Sequence, residues 1–227
     1  MLAIVLATAA AALLATGAAR ANITDPNEVV ETVGAALEDY WSAELAKLDR
    51  QYVSPTGVTW YEHAARTPCG VAPPGNSMYC AADGVIYLDY GLFRHLVVGE
   101  GADYAGGVVL AHEWGHAIQN QLGWLRWGIR HKYFKGVELQ ADCYAGMFSR
   151  YASQQRLLEK GDLQEALRLM TTVGDRARLS PTAEGAHGTP KQRRTWFMRG
   201  YSTGRMATCN GIYKALYASS TIRPPSP

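Results

Sequence analysis

Apolar positions recur at helical spacing through most of this chain and alternate only in two short stretches. Behind Asp25-Pro26-Asn27, which reads as a helix start, Val29, Val30, Val33, Ala36, Leu37, Tyr40, Trp41 and Leu45 form one stripe about five turns long. A stripe of this kind docks a helix on a core, so its aromatic rings are given no catalytic role. From Tyr52 to Trp60 the pattern changes to alternating and β-branched residues, interrupted by Pro55-Thr56-Gly57. A second extended piece, Gly84-Val85-Ile86-Tyr87-Leu88-Asp89, overlaps the turn signal Ala82-Asp83-Gly84, and the two pieces are expected to pair. His63 lies between them and is expected on the surface.

Leu92, Phe93, Leu96 and Val97 predict a short helix, and Gly99-Glu100-Gly101-Ala102 a loop. A long helix follows from about Ala105 to Leu122 and ends at Gly123. Trp124 and Trp127 then fall in a loop-like stretch with Arg126, Arg130, His131 and Lys132, where the rings are expected to pack. Helical spacing returns from Gly136 to Ser153, from Leu157 to Met170 with a break near Gly161-Asp162, from Lys191 to Tyr201 and from Gly211 to Tyr217. Ser180 to Pro190 is a Gly- and Pro-containing loop, and Thr221 to Pro227 reads as a disordered tail. The pattern is α+β: mainly helical, with a small β-sheet or hairpin ahead of the long helix that begins near Ala105.

Length and charge narrow this picture. With 227 residues, 48% of them hydrophobic, the chain can bury one substantial core, so residues 22–220 are read as a single domain. A formal charge of +2, with Lys and Arg spread along the sequence, gives no footprint for nucleic acid. Met1 to Ala19 carry no charged side chain and lead into Ala19-Arg20-Ala21, the pattern of an export signal cleaved before Asn22. No Lys or Arg precedes the apolar run, so an uncleaved membrane anchor over 1–21 stands beside the signal peptide. Both place the domain outside the cytoplasm, secreted, periplasmic or membrane-anchored.

Four cysteines in an exported chain favour disulfides. Cys69 and Cys80 bracket the loop Gly70-Val71-Ala72-Pro73-Pro74-Gly75-Asn76 and would close it locally, which leaves Cys143 with Cys209. A Cys-rich zinc site is disfavoured because C-x-x-C spacing is absent from the sequence.

The chemistry concentrates in Ala111-His112-Glu113-Trp114-Gly115-His116, an H-E-x-x-H motif on the long helix. At 100° per residue His116 stands about 40° from His112, with Glu113 at about 100° and Leu110, Trp114 and Ile118 on the far side. One face takes metal and the opposite face takes core. The competing reading is a solvated helix face that happens to carry two histidines. Catalytic zinc commonly takes two histidines and a glutamate and leaves its fourth position open. Glu138, 138 − 116 = 22 residues beyond His116, can present that carboxylate from a second helix after the Gly123 turn. Glu113 sits beside the metal face, where its carboxylate reaches the activated water rather than the ion and can act as general base. Asp142, one turn beyond Glu138, is placed to accept the second N–H of a ligand histidine.

These segments also resemble a known family. His112-Glu113-Trp114-Gly115-His116 and Glu138-Leu139-Gln140-Ala141-Asp142-Cys143 resemble the bacterial "putative neutral zinc metallopeptidase" family. So do Cys69-Gly70, Tyr79-Cys80-Ala81-Ala82-Asp83, Ile86-Tyr87-Leu88-Asp89 and His187-Gly188-Thr189-Pro190-Lys191-Gln192-Arg193. The resemblance runs from about Cys69 to Cys209, and the ordered set is far more specific than H-E-x-x-H alone. It implies a zincin-like, gluzincin-type site with one Zn2+ on His112, His116 and Glu138, Glu113 catalytic, and a peptide or protein substrate.

Two further roles are needed. His187, in its Gly-rich loop, is the first candidate for the oxyanion donor, with Tyr87 and Tyr90 behind it; the bland alternative is that His187 caps the following helix. An extended substrate needs an edge strand, and Ile86, Tyr87, Leu88 and Asp89 are the best such segment. The expected activity is zinc-dependent hydrolysis of peptide bonds. The alternatives are a zinc hydrolase acting on another amide, such as a cell-wall linkage, and a non-catalytic zinc-stabilised binding module.

Overall fold

The computed structural model describes residues 23–99, 102–175, 179–217 and 225. The expected signal or anchor over 1–21 therefore lies outside the described residues, as does the tail over 221–227 except Pro225. Among the described residues, no helix is long and apolar enough to cross a membrane.

The first helix, α1 (Pro26–Ala46), starts where its capping signal stands: the Asp25 side chain accepts from the Asn27 N–H and Pro26 occupies the first turn. Val29, Leu37, Tyr40, Trp41 and Leu45 are buried, and Val30, Val33 and Ala36 pack against the same core. Trp41 is fully buried, edge-to-face on Tyr144 at 5.3 Å. Removing a ring of this size from water contributes about 5 kcal/mol as an upper estimate.

The two extended segments pair as expected, in parallel. β1 (Gly57–Tyr61) lies beside β5 (Val85–Asp89) with Gly57 opposite Val85, and β4 (Met78–Cys80) runs antiparallel to β5 on its other side. A parallel pair needs a crossover. Here it carries the separate hairpin of β2 (Ala65–Thr67) and β3 (Gly70–Ala72). The order β1-β5-β4 corrects the expectation for Ile86, Tyr87, Leu88 and Asp89: they form the centre of the sheet. The physical reason is burial. Ile86 and Leu88 are fully buried, and a strand whose apolar face is covered this completely takes the middle position, leaving β4 at the edge. His63 is exposed in a turn with φ 65°, in keeping with a surface residue.

After α2 (Tyr90–Arg94) and a π-helical turn (His95–Gly99) comes α3 (Asp103–Gln121), the central helix, buried on most of its circumference and packed by α1, the π turn and later helices. Gly123, at φ 80°, ends it as expected. The stretch read as a loop, however, is helix α4 (Trp124–Arg130). Trp124, Trp127 and His131 stand at helical spacing, and their rings, with Tyr133 and Tyr213, make one aromatic cluster. Tertiary stacking overrode the weak local signal, while the expectation that the rings pack was correct.

α5 (Phe134–Gln154) crosses α3, followed by α6 (Asp162–Thr172), α7 (Pro190–Thr203), α8 (Met206–Asn210) and α9 (Ile212–Leu216). The closing helix expected over Gly211 to Tyr217 is thus preceded by a further short one. α5 and α7 approach most closely, and both expected disulfides are present. Cys69–Cys80 ties the β2–β3 turn to the end of β4 with Cα atoms 5.6 Å apart, and Cys143–Cys209 joins α5 to α8 at 5.5 Å.

Candidate metal centre

The crossing of α3 and α5 assembles the site. Gly115, between the two histidines, permits it: a Cβ there would stand 3.3 Å from the Ala141 Cα and carbonyl oxygen. With α5 this close, one turn of α5 on either side of Ala141 faces the two imidazoles. Glu138 Oε2 lies 3.3 Å from His112 Nε2, and Glu138 Oε1 lies 3.5 Å from His116 Nε2. The rings stand at 88° to one another with centroids 4.8 Å apart.

Those distances test whether zinc fits. Tetrahedral coordination with bonds of 2.0–2.2 Å puts ligand atoms about 3.3–3.6 Å apart. The observed 3.3 and 3.5 Å match that range and are longer than good N–H···O hydrogen bonds. Two nitrogens and a carboxylate are also the donor set zinc accepts. All three residues can offer donor atoms within 4.8 Å of one another. The other carboxylate group found among the described residues, Asp103, Asp162 and Glu165, has no histidine and sits in the first turns of α3 and α6, where helix dipoles favour negative charge.

Each histidine is held from behind in its own way. His112 Nδ1 lies 2.9 Å from Asp142 Oδ1, as its spacing on α5 suggested. Asp142 is fully buried, and Arg193 of α7 clamps it with two bonds, Nε to Oδ2 at 2.8 Å and Nη2 to Oδ1 at 2.6 Å. Burial works against a charge on Asp142, but the Arg193 guanidinium and the His112 imidazole hold its carboxyl below the usual range. His116 Nδ1 instead meets a neutral amide, Gln119 Oε1, at 2.8 Å. Burial likewise opposes a charge on His112, yet Asp142 and Glu138 outweigh it and its pKa is pushed up to about 10. Against the same burial, the imidazoles of His116 and His112 hold the Glu138 carboxyl far below the usual range. His112 and Glu138 thus form a charged pair at the place an ion would take.

Glu113 is buried beside the ligands, and its Oε2 accepts a hydrogen bond from the Tyr79 main-chain N–H at 2.8 Å. That N–H belongs to β4, whose outer edge faces the site.

A cavity of about 660 Å³ opens over these groups. His112, Glu113, His116, Glu138 and His187 all line it, together with Ser77 to Tyr79. The His187 side chain is 45% exposed, with Nδ1 3.6 Å from Asp175. The helix cap considered for it is supplied by Thr189, which forms a capping box with Gln192. Tyr87 is turned away, its hydroxyl donating to Asp83, and the Tyr90 ring packs on Trp60; neither is among the described residues lining the cavity. Sequence reasoning did not assign roles to Gln119, Arg193 or the Tyr79 N–H. Gln119 carried a usable signal, standing three residues beyond His116 on the same helix face. The other two come together with the site only in three dimensions.

Comparison with known proteins points the same way. The family model described as "Putative neutral zinc metallopeptidase" matches residues 5–212. The chain is 35% identical over 206 residues to the uncharacterized protein YpfJ of Escherichia coli (strain K12), covering 80% of this chain and 70% of that protein. Against the uncharacterized proteins Rv2575 of Mycobacterium tuberculosis and Mb2605 of Mycobacterium bovis it is 36% identical over 207 residues, covering 80% of this chain and 69% of theirs. No solved structure matches the chain. A family match over nearly the whole length, carried by relatives at this identity, means that the chain belongs to the putative neutral zinc metallopeptidase family.

Proposed function

We propose that this protein is a zinc-dependent metallopeptidase of endopeptidase type, with a gluzincin-like site in which His112, His116 and Glu138 hold the ion and Glu113 moves the proton. The observation that carries the proposal is that each histidine Nε2 lies 3.3 or 3.5 Å from a Glu138 carboxylate oxygen, with Glu113 lining the same cavity. Zinc, when bound there, supplies a Lewis acid that polarises the scissile carbonyl and brings the pKa of the attacking water toward neutrality. Asp142 accepts the His112 Nδ1 proton and so keeps the Nε2 lone pair directed at the ion. Glu113, anchored through Oε2 by the Tyr79 N–H, keeps Oε1 to take a proton from the water and deliver it to the departing amine.

His187 is our candidate donor to the oxyanion, supported by its place in the cavity lining and its partial exposure. β4, the edge strand beside Glu113, is the strand on which an extended peptide could lie. Ile129, Phe134, Val137 and Val173 give the cavity apolar walls suited to substrate side chains. Two disulfides favour an oxidising compartment, and we place the domain outside the cytoplasm.

The test is Glu113→Gln. The variant is expected to bind zinc as the parent does and to lose chelator-sensitive hydrolysis of a peptide library by at least a hundredfold, the usual scale of a general base. Unchanged proteolysis would refute the mechanism. Zinc binding with no hydrolysis by either form would favour the binding module, and hydrolysis confined to cell-wall amides the other hydrolase.

A further inference from the structure

Gln119 is fully buried, lies outside the proposed catalytic set, and its side chain makes three hydrogen bonds. Oε1 faces His116 Nδ1 at 2.8 Å, while Nε2 donates to the Val137 carbonyl at 2.7 Å and to Gln140 Oε1 at 2.9 Å. A side-chain amide can in principle be turned over, exchanging its oxygen and nitrogen. Here the Val137 carbonyl decides the matter. It is an acceptor only, so the reversed amide would press oxygen against oxygen at 2.7 Å around a fully buried side chain and forfeit both bonds that Nε2 donates, at about 1–3 kcal/mol for each buried group left unpaired. Gln119 must therefore present its oxygen to His116. An acceptor at that position requires the proton on Nδ1, which in the neutral ring leaves the Nε2 lone pair directed toward Glu138.

The amide behind it is fixed in the same sense. Gln140 is fully buried; its Oε1 also accepts from the Tyr213 hydroxyl at 3.1 Å, and its Nε2 donates to Asn210 Oδ1 at 2.8 Å. Asn210 Oδ1 accepts in addition from the Tyr144 hydroxyl at 2.9 Å. Turning Gln140 over would set its NH2 against that of Gln119. Val137 is also the residue preceding Glu138, so Gln119 ties a histidine of α3 to the main chain next to the carboxylate of α5. It links two of the three proposed ligands across the helix crossing.

We propose that Gln119 is a positioning residue of the metal centre: its amide, oriented by the Val137 carbonyl and backed by Gln140, selects the Nδ1–H tautomer of His116 and sets the spacing of His116 to Glu138. The proposal rests on the zinc-site reading for its consequence, tighter metal binding, but the tautomer it selects belongs to the metal-free protein. The Asp142–Arg193 pair does for His112 with charge what Gln119 does for His116 with an amide anchored to the backbone.

The experiment has two arms. In metal-free, full-length protein, long-range 15N–1H correlations of the histidine rings are recorded at a pH where the His116 ring is neutral. The Nδ1–H tautomer is expected for His116, and finding Nε2–H in the unmutated protein would overturn the proposal without any variant. The second arm measures zinc affinity by chelator competition for the parent, Gln119→Met and Gln140→Met. Methionine keeps the volume of glutamine and removes the hydrogen bonds. Gln119→Met is expected to weaken zinc about 10–100-fold, the usual scale for losing a group that orients a ligand, and to mix the two tautomers. Gln140→Met keeps the bond to Val137 and should lose less. Equal zinc affinity and an unchanged tautomer in Gln119→Met would refute the role. If the parent binds no zinc, the metal-site reading fails, and the tautomer arm still judges Gln119.

Discussion

Replacing Gly200 by alanine tests how tightly the helix carrying Arg193 must pack on the helix carrying Asp142. A Cβ on Gly200 of α7 would stand 1.9 Å from the Cys143 carbonyl oxygen of α5, and reciprocally a Cβ on Gly146 would stand 2.0 Å from the Phe197 carbonyl oxygen. Ordinary contact begins near 3.4 Å, so the helices would have to part locally by 3.4 − 1.9 = 1.5 Å. Both obstructing groups are main chain and cannot rotate aside. Overpacking of this kind costs about 1–3 kcal/mol or more. Alanine recovers about 1 kcal/mol through its better helix propensity. With two main-chain groups in the way the cost is set at the upper end of that range, so the net expectation is a loss of up to about 2 kcal/mol, a fall in Tm of up to roughly 4–8 °C for a chain of this size. Arg193 lies about two turns along α7, and the same parting would carry its 2.6 and 2.8 Å contacts with Asp142 beyond hydrogen-bonding range, so zinc affinity should fall as well. Gly34 of α1 is the control, because a Cβ there meets only the Trp114 ring at 4.0 Å, and Gly34→Ala should be neutral or stabilising by about 0.5–1 kcal/mol. Thermal unfolding by circular dichroism, with disulfides intact and with and without chelator, reads both variants. Gly200→Ala melting at or above the parent would refute the packing argument.

Arg193→Leu removes the guanidinium that clamps the fully buried Asp142 and leaves its charge to His112 alone, which should cost about 3 kcal/mol, seen as a lower urea midpoint; an unchanged midpoint would show that the clamp does not stabilise the fold. Zinc binding should release about one proton from His112 at neutral pH, since its pKa near 10 in the metal-free protein keeps the ring charged while ligation needs it neutral. Calorimetry in two buffers of different ionisation enthalpy would show this, with affinity rising as pH climbs toward 10, and a binding heat independent of the buffer would contradict it. The sign for stability follows: because the folded pKa is raised, the His112 contribution in metal-free protein is complete below about pH 6.5 and is lost as pH rises through about 10. Replacing the Cys143–Cys209 pair by alanine should cost about 4 kcal/mol and the Cys69–Cys80 pair about 3 kcal/mol, from loops of 66 and 11 residues, and equal costs would show that chain entropy does not govern the difference.

Much of the site was legible because it is local. His112, Glu113 and His116 need only helical periodicity to share a face, and Glu138 and Asp142 need only one turn of a second helix. The pairing of four cysteines followed from one short loop and the remainder. The pieces that were misread are those whose neighbours lie far away in sequence. Ile86 to Asp89 has the alternation of an edge strand, yet its position depends on β1 and β4 both choosing it as partner. The Trp124 stretch lacks a strong start signal and becomes helical because its rings find Tyr213, more than 80 residues on.

What the sequence by itself determined was therefore the donor set: two histidines and a glutamate of the types that ligate metal, the carboxylates beside them, and that they stand on two helices. Only the tertiary structure decided how those donors are oriented, because orientation is set by groups 50 or more residues apart, such as Arg193 on Asp142, or by a main-chain N–H or carbonyl such as Tyr79 and Val137. Main-chain donors and acceptors are present at nearly every residue and carry no sequence signature, so their role emerges only when packing places one of them against a side chain that has nowhere else to turn.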